Sequence, residues 1–149
     1  MTTSDDQARQ ALGWGAAATL VSAADLVRDI SLAPRANGAL DLACVVGAAN
    51  LGQDLALALT TRLGADPLDP GFGFDGMSAF TTNSTGVMVR EQLRASVSKL
   101  VAQDPRVRTV TAVDVDDDAT SIASRTLTLD VEVDTIVGNG TVVTTTLVT

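Results

Sequence analysis

The stretch RTLTLDVEVDTIVGNGTVVTTTLV, residues 125–148, decides the fold. In its first half Leu127, Leu129, Val131, Val133 and Thr135 fall at every second position, with polar or acidic residues between them. A period of two places the apolar set on one face of a strand. Gly138-Asn139-Gly140 follows, and Asn and Gly accept the positive φ that tight hairpin turns demand. Residues 141–148 are rich in β-branched side chains and carry no charge. The expectation is a C-terminal hairpin with strands at 125–137 and 141–148 and its turn at 138–140. The last strand has neither Lys nor Pro to blunt an exposed edge. It either pairs inside its own sheet or offers pairing to another chain, and composition favours neither.

Upstream, residues 107–115 read as a further strand, joined to the hairpin through the acidic run Asp114, Asp116, Asp117 and Asp118. That run lacks the Gly and terminal Glu of an EF-hand, so it reads as a solvated turn and not as a calcium loop. Before it, residues 86–103 form a helix with Val89, Leu93, Val97, Leu100 and Val101 as its buried stripe and Arg90, Glu91, Arg94 and Lys99 off it. Asp104-Pro105 ends this helix, because the residue before Pro is pushed out of the helical region.

A first helix begins near Asn50, read as its cap with Gln53 three residues on, and shows Leu51, Leu55, Ala58 and Leu59 on one face. It stops near Leu63-Gly64. Residues 64–85 are a long loop punctuated by Gly64, Pro67, Pro70, Gly71, Gly73 and Gly76, and a loop of that length is uncommon without a use. Two strand-like runs, 26–32 and 39–46, flank Pro34, Asn37 and Gly38 and suggest a hairpin. Residues 1–24 read as an N-terminal arm, with a short helix through Leu12 broken at Gly13-Trp14-Gly15. Trp14, the sole Trp, anchors the arm onto the body or onto a neighbour.

Composition removes much chemistry. The 149 residues suit one domain with its own core, here 25–149 after the arm. There is no His and one Cys, so no catalytic triad, Cys–His pair, internal disulfide or Cys/His zinc site can form within a chain. Cys44 lies in an apolar run and reads as a small buried hydrophobe. A net charge of −8 repels phosphate backbones, which argues against nucleic-acid binding. No run approaches a membrane span, and Asp5 and Asp6 stand where a signal peptide wants Lys or Arg, so synthesis and use from the cytoplasm are expected. The loop acids Asp66, Asp69 and Asp75 read as turn formers, and its glycines match no phosphate loop. No catalytic, cofactor-binding or metal-binding residue is assigned.

The order of motifs resembles a family. Gly38-Ala39-Leu40-Asp41-Leu42, then Val46-Gly47, Asn50-Leu51 and Gln53, then Thr61, Gly64 and Asp69-Pro70-Gly71-Phe72-Gly73, then a helix closed by Asp104-Pro105-Arg106-Val107, is similar to the baseplate wedge, or sheath-initiator, family of contractile phage tails, extracellular injection particles and type VI secretion baseplates. The resemblance covers about residues 26–148. It implies an α+β fold with two central helices, a mainly antiparallel sheet and a C-terminal β-hairpin. It also implies a structural role, not an enzymatic one: joining baseplate to sheath and templating sheath growth by strand addition. Sheath protein would meet Leu129, Val131, Val133, Val142, Val143, Thr144, Thr145 and Leu147. Baseplate wedge proteins would meet Thr61, Gly64, Asp69, Pro70, Phe72 and Gly73, with inner tube or spike hub as further neighbours. The protein would pass from the cytoplasm into an assembled baseplate. The family's loop carries an acid, commonly Glu, just after its Gly; here Ala65 follows Gly64 and Asp66 comes one later. A different tail structural protein, such as a terminator or connector, would share the acidic, β-rich character.

Overall fold

The computed structural model describes residues 3–22, 25–76, 86–116 and 126–148. The chain runs α1 (Thr3–Leu12), six short strands β1 (Trp14–Ala16), β2 (Ala18–Ser22), β3 (Asp25–Ile30), β4 (Leu32–Pro34), β5 (Leu40–Leu42) and β6 (Cys44–Val46), then α2 (Ala48–Thr60), α3 (Gly86–Val101), β7 (Val107–Asp116), β8 (Thr126–Thr135) and β9 (Gly138–Val148). The class is α+β, as the sequence implies.

The core is a helix layer on a three-stranded antiparallel sheet ordered β7-β8-β9. Helix α3 lies along β7 and α2 along β9. Alternation on β8 sends Leu129, Val131 and Val133 to the helices, all fully buried, and leaves Asp130 and Glu132 in solvent. Leu93, Val97 and Val101 on α3 and Leu51, Leu55 and Leu59 on α2 close the other side. They recur every fourth residue, so one helical stripe meets one sheet face.

The hairpin turn is two residues earlier than expected. Thr135 pairs with Gly138, so Ile136 and Val137 form the turn and β9 starts at Gly138. Val133 pairs with Thr141, which leaves an extra residue on β9 between these two pairs. The Gly-Asn-Gly segment thus forms a bulge beside the turn, another place that tolerates unusual backbone. The Thr135 hydroxyl, buried, locks the turn by accepting from the Val137 and Gly138 N–H groups and donating to the Gly138 carbonyl.

Residues 14–46 do not form the single expected hairpin. Both strand-like runs are interrupted, at Ser31 and at Ala43, and each piece takes a different partner: β1 with β6, β2 with β3, β4 with β5. Three two-stranded ribbons therefore meet at Ala17, Ser31 and Ala43. A ring of main-chain bonds closes the junction: Ala17 N–H to the Ala43 carbonyl (2.7 Å), Ala43 N–H to the Ser31 carbonyl (2.9 Å), Ser31 N–H to the Ala17 carbonyl (2.8 Å). The ring satisfies the polar groups that three diverging strands would otherwise leave unpaired. At the tip of β4–β5 the Asn37 Oδ1 accepts from the Ala39 N–H and Gly38 holds φ 79, which fits the turn read from the sequence. The boundary expected at residue 24 falls between β2 and β3 of one ribbon.

Helix α1 ends at Gly13, whose φ of 82 lets the chain reverse into β1. Asn50 is not the cap of α2. That helix starts at Ala48 behind Gly47, and Asn50 sits buried in its first turn, donating to the Leu12 carbonyl at 3.2 Å. Gln53 reaches the ribbons instead: its Nε2 donates to the Ala16 carbonyl (2.9 Å) and its Oε1 accepts from the Ala18 N–H (2.8 Å). The two amides fasten the ribbon platform to α2. Cys44 is exposed on this platform, not buried, because the outward positions of β6 face away from the core.

Candidate functional site

The loop after α2 folds back on itself. Thr61 caps the helix, its hydroxyl donating to the Leu57 carbonyl at 2.7 Å. Phe74 N–H then reaches the Thr61 carbonyl, Leu63 N–H the Phe74 carbonyl, and Gly64 N–H the Phe72 carbonyl. Asp69 holds the bend between them, accepting from the Gly71 N–H at 3.1 Å. Among the described residues of the loop the buried aromatic is Phe74; Phe72 is half-buried and Pro70 exposed.

Gly73 makes this closure possible. Its φ is +110, and a Cβ there would lie 2.7 Å from the Arg62 carbonyl carbon. Both backbone preference and contact with an unyielding main chain forbid a side chain. Gly73→Ala is expected to destabilise the protein by about 2–4 kcal/mol and to free the loop to proteolysis. Urea midpoints and limited trypsin digestion check this; a wild-type midpoint would show that the loop is not held as described.

The loop forms one wall of a cleft of about 390 Å³, through Asp69, Gly71, Phe72 and Gly73. Asp54, Leu57 and Ala58 of α2 form the second wall, and Leu100, Gln103, Asp104 and Arg106 the third. Among the residues expected to meet wedge proteins, Asp69, Phe72 and Gly73 thus share the cleft. Thr61, Gly64 and Pro70 belong to the same loop but do not line it.

Arg106 organises the floor. Its Nε and Nη2 donate to the two carboxylate oxygens of Asp104 at 2.9 and 2.7 Å, while Nη1 donates to Asp54 at 2.8 Å and to the Leu12 carbonyl at 3.1 Å. One guanidinium thereby joins the end of α1, the middle of α2 and the turn after α3. The bidentate geometry is the strong form of this pair. Burial by itself would raise the Asp104 carboxyl, but the hydrogen bonds and charge of Arg106 outweigh it and hold the group below the ordinary carboxylate range. The hydrogen bonds that Arg106 donates to Asp104 likewise raise the guanidinium, against burial and with help from Asp54. An acid held ionised cannot donate a proton near neutrality, so Asp104 is unsuited to general-acid work. Sequence reasoning quoted Asp104-Pro105-Arg106 as a helix stop and missed its role as a clamp; an acid and an Arg two residues apart across a Pro is the signal that was present.

The residues expected to meet sheath protein divide sharply. Leu129, Val131 and Val133 lie on the central strand, fully buried, with both strand edges already paired. This corrects the expectation for those three: their side chains hold the core and are closed to a partner. Val142, Val143, Thr144, Thr145 and Leu147 lie on β9, opposite Glu132, Val131, Asp130, Leu129 and Leu127 in turn. Only one edge of β9 is paired; among the described residues no strand bonds to its outer edge, although β3 passes close by. Asp117 and Asp118 of the acidic run lie outside the described residues. Among the described ones no three His, Cys, Asp or Glu side chains gather closely enough to hold a metal ion. No described helix is long and apolar enough to cross a membrane.

No family model matches this sequence, and no curated protein matches it either. Among solved structures the chain is similar to a protein from Geobacter sulfurreducens provisionally named a tail lysozyme. The two share 16% identity at a TM-score of 0.55, over 65% of this chain and 86% of the other. At that identity the likeness is one of fold.

Proposed function

We propose that this chain is a structural part of a phage-like contractile tail, joining baseplate to sheath and starting sheath growth by strand addition. The observation that carries the reading is β9: an eleven-residue strand at the border of the core sheet that, among the described residues, pairs along one edge only, with β3 close by. Strand addition draws its affinity from main-chain hydrogen bonds, which an open edge supplies. The fold shared with a protein named a tail lysozyme supports a tail setting. Wedge proteins meet the loop of residues 61–74 and its cleft, and the working location is an assembled baseplate. The acidic outer face of the sheet, with Asp114, Asp130 and Glu132, keeps the chain from nucleic acid.

The name of the solved neighbour raises a lysozyme-like reading. Glycoside hydrolysis needs an acid kept protonated beside a second carboxylate. The cleft places Asp54 and Asp104 on one guanidinium and lowers Asp104, the opposite of that need. The structural reading is therefore preferred.

Proline substitution tests it. Successive N–H groups along a strand point to opposite edges, so of Val143→Pro and Thr144→Pro one breaks a bond to β8 and the other removes only an outward donor. The first should be destabilised by about 3 kcal/mol. The second should keep its fold and fail to nucleate sheath when co-expressed with a contractile-tail sheath protein and its tube protein. Electron microscopy counts the sheathed particles. Normal sheath on the folded variant would remove β9 as the template.

A further inference from the structure

The ribbon platform inverts the usual pattern of a half-buried sheet. An antiparallel layer with one solvated face turns its large apolar residues inward and its polar ones out. Here the small residues face in: Gly15, Ala17, Ala33 and Ala43 are half-buried. The large ones, the half-buried Val45 apart, face out. Trp14 opposite Val46, Leu32 opposite Leu42, and Leu40 beside Pro34 share one face by register and alternation, with Ile30 next to them across the junction. Trp14 is 61% exposed, Leu40 67% and Leu32 58%.

We propose that this outer face, formed by Trp14, Ile30, Leu32, Leu40, Leu42 and Val46, is the contact through which two copies of this chain pair. Three observations choose a second copy as the occupant. The six side chains expose on the order of 600 Å² of apolar surface, at the top of the range for a monomer and near the roughly 800 Å² per partner of a standard interface. Among the described residues the face carries no acidic side chain: Asp41 is half-buried on the inward side, paired with Arg35, and the charge set against the face is the Arg9 guanidinium, 5.7 Å from the Trp14 ring centroid. A chain of net charge −8 meets itself with least repulsion on such a face. The face is also made of three-residue strands, too short for edge pairing but suited to face-to-face packing, in which two apolar layers interdigitate. A two-fold arrangement places one patch against itself and needs no second surface. The inference stands on the platform alone and does not depend on the tail reading.

The face carries its own reporters, because Trp14 is the sole Trp and the exposed Cys44 the sole Cys. Sedimentation equilibrium of the full chain, from about 1 to 200 μM, should show a monomer–dimer equilibrium in the micromolar range. Over the same range Trp14 emission should shift to the blue and alkylation of Cys44 should slow. Leu40→Lys buries a charge only in the dimer. It should weaken pairing about tenfold or more while leaving the melting curve of the dilute protein unchanged. A monomer at the highest concentration overturns the proposal, even if lysate proteins then protect Cys44. So does a dimer that is indifferent to Leu40→Lys, or one in which Trp14 and Cys44 stay open to solvent.

Discussion

Leu93→Asp should abolish the cooperative unfolding transition. Leu93 is 1% exposed at the centre of α3, between Val97 one turn on and the floor made by β7 and β8. Removing the leucine side chain from such a site costs about 3 kcal/mol in lost transfer and packing. A carboxylate without a partner in the same place adds several more, or else it takes up a proton at a comparable cost. The sum is of the order of the whole stability of a domain this size, roughly 5–15 kcal/mol. Ala95→Asp is the control: two residues on, in the same helix but exposed, it should stay within about 0.5 kcal/mol of the parent. Circular dichroism melts of both variants decide the matter. A wild-type midpoint for Leu93→Asp would mean that α3 does not bury this stripe.

The stripe on α3 was legible because it is local and periodic: Leu93, Val97 and Val101 announce their face whatever they pack on. The same holds for alternation along β8. Alternation tells which side chains share a face, however, and not whether a strand lies at the centre or the edge of a sheet. That is why Leu129, Val131 and Val133 were expected at a partner when they lie in the core. The three-way ribbon junction was illegible for a related reason. Strand partners change at Ser31 and Ala43, single residues with no Gly or Pro to mark a break, and the ring of bonds joining them to Ala17 links segments up to 26 residues apart. Asn50 misled because Asn near a helix start usually caps it. Here the Leu12 carbonyl, 38 residues away in sequence, claims its amide. The candidate cleft shows both sides. Its loop was marked by Pro and Gly, whereas Asp54 and Arg106, separated by 52 residues, meet only in the fold.

Arg106→Met should then be costly well away from any partner surface, and costly in a way that depends on pH. The substitution keeps the unbranched apolar stem of the side chain and removes every donor. Asp104 loses its bidentate partner, Asp54 loses an ion pair, and the Leu12 carbonyl keeps only Asn50. Breaking a fully buried pair costs roughly 3–5 kcal/mol; solvent reaches this one, so a loss of about 2 kcal/mol is expected at pH 7. The parent's Asp104 titrates below the ordinary range, so its contribution is complete above about pH 4 and disappears as pH falls through the lowered value. In the variant the sign reverses. Burial without Arg106 raises the Asp104 carboxyl, and the folded state gains stability as that group takes up a proton on acidification. The gap between parent and variant should therefore narrow steadily from pH 7 to about pH 3. Arg106→Lys can reach one carboxylate but cannot bridge three elements, so it should recover only part of the loss. Urea midpoints of the three proteins across this range are the measurement. A gap that stays constant with pH would assign the loss to packing of the Arg106 stem and leave the ion pair without a role in holding α1, α2 and the α3–β7 turn together.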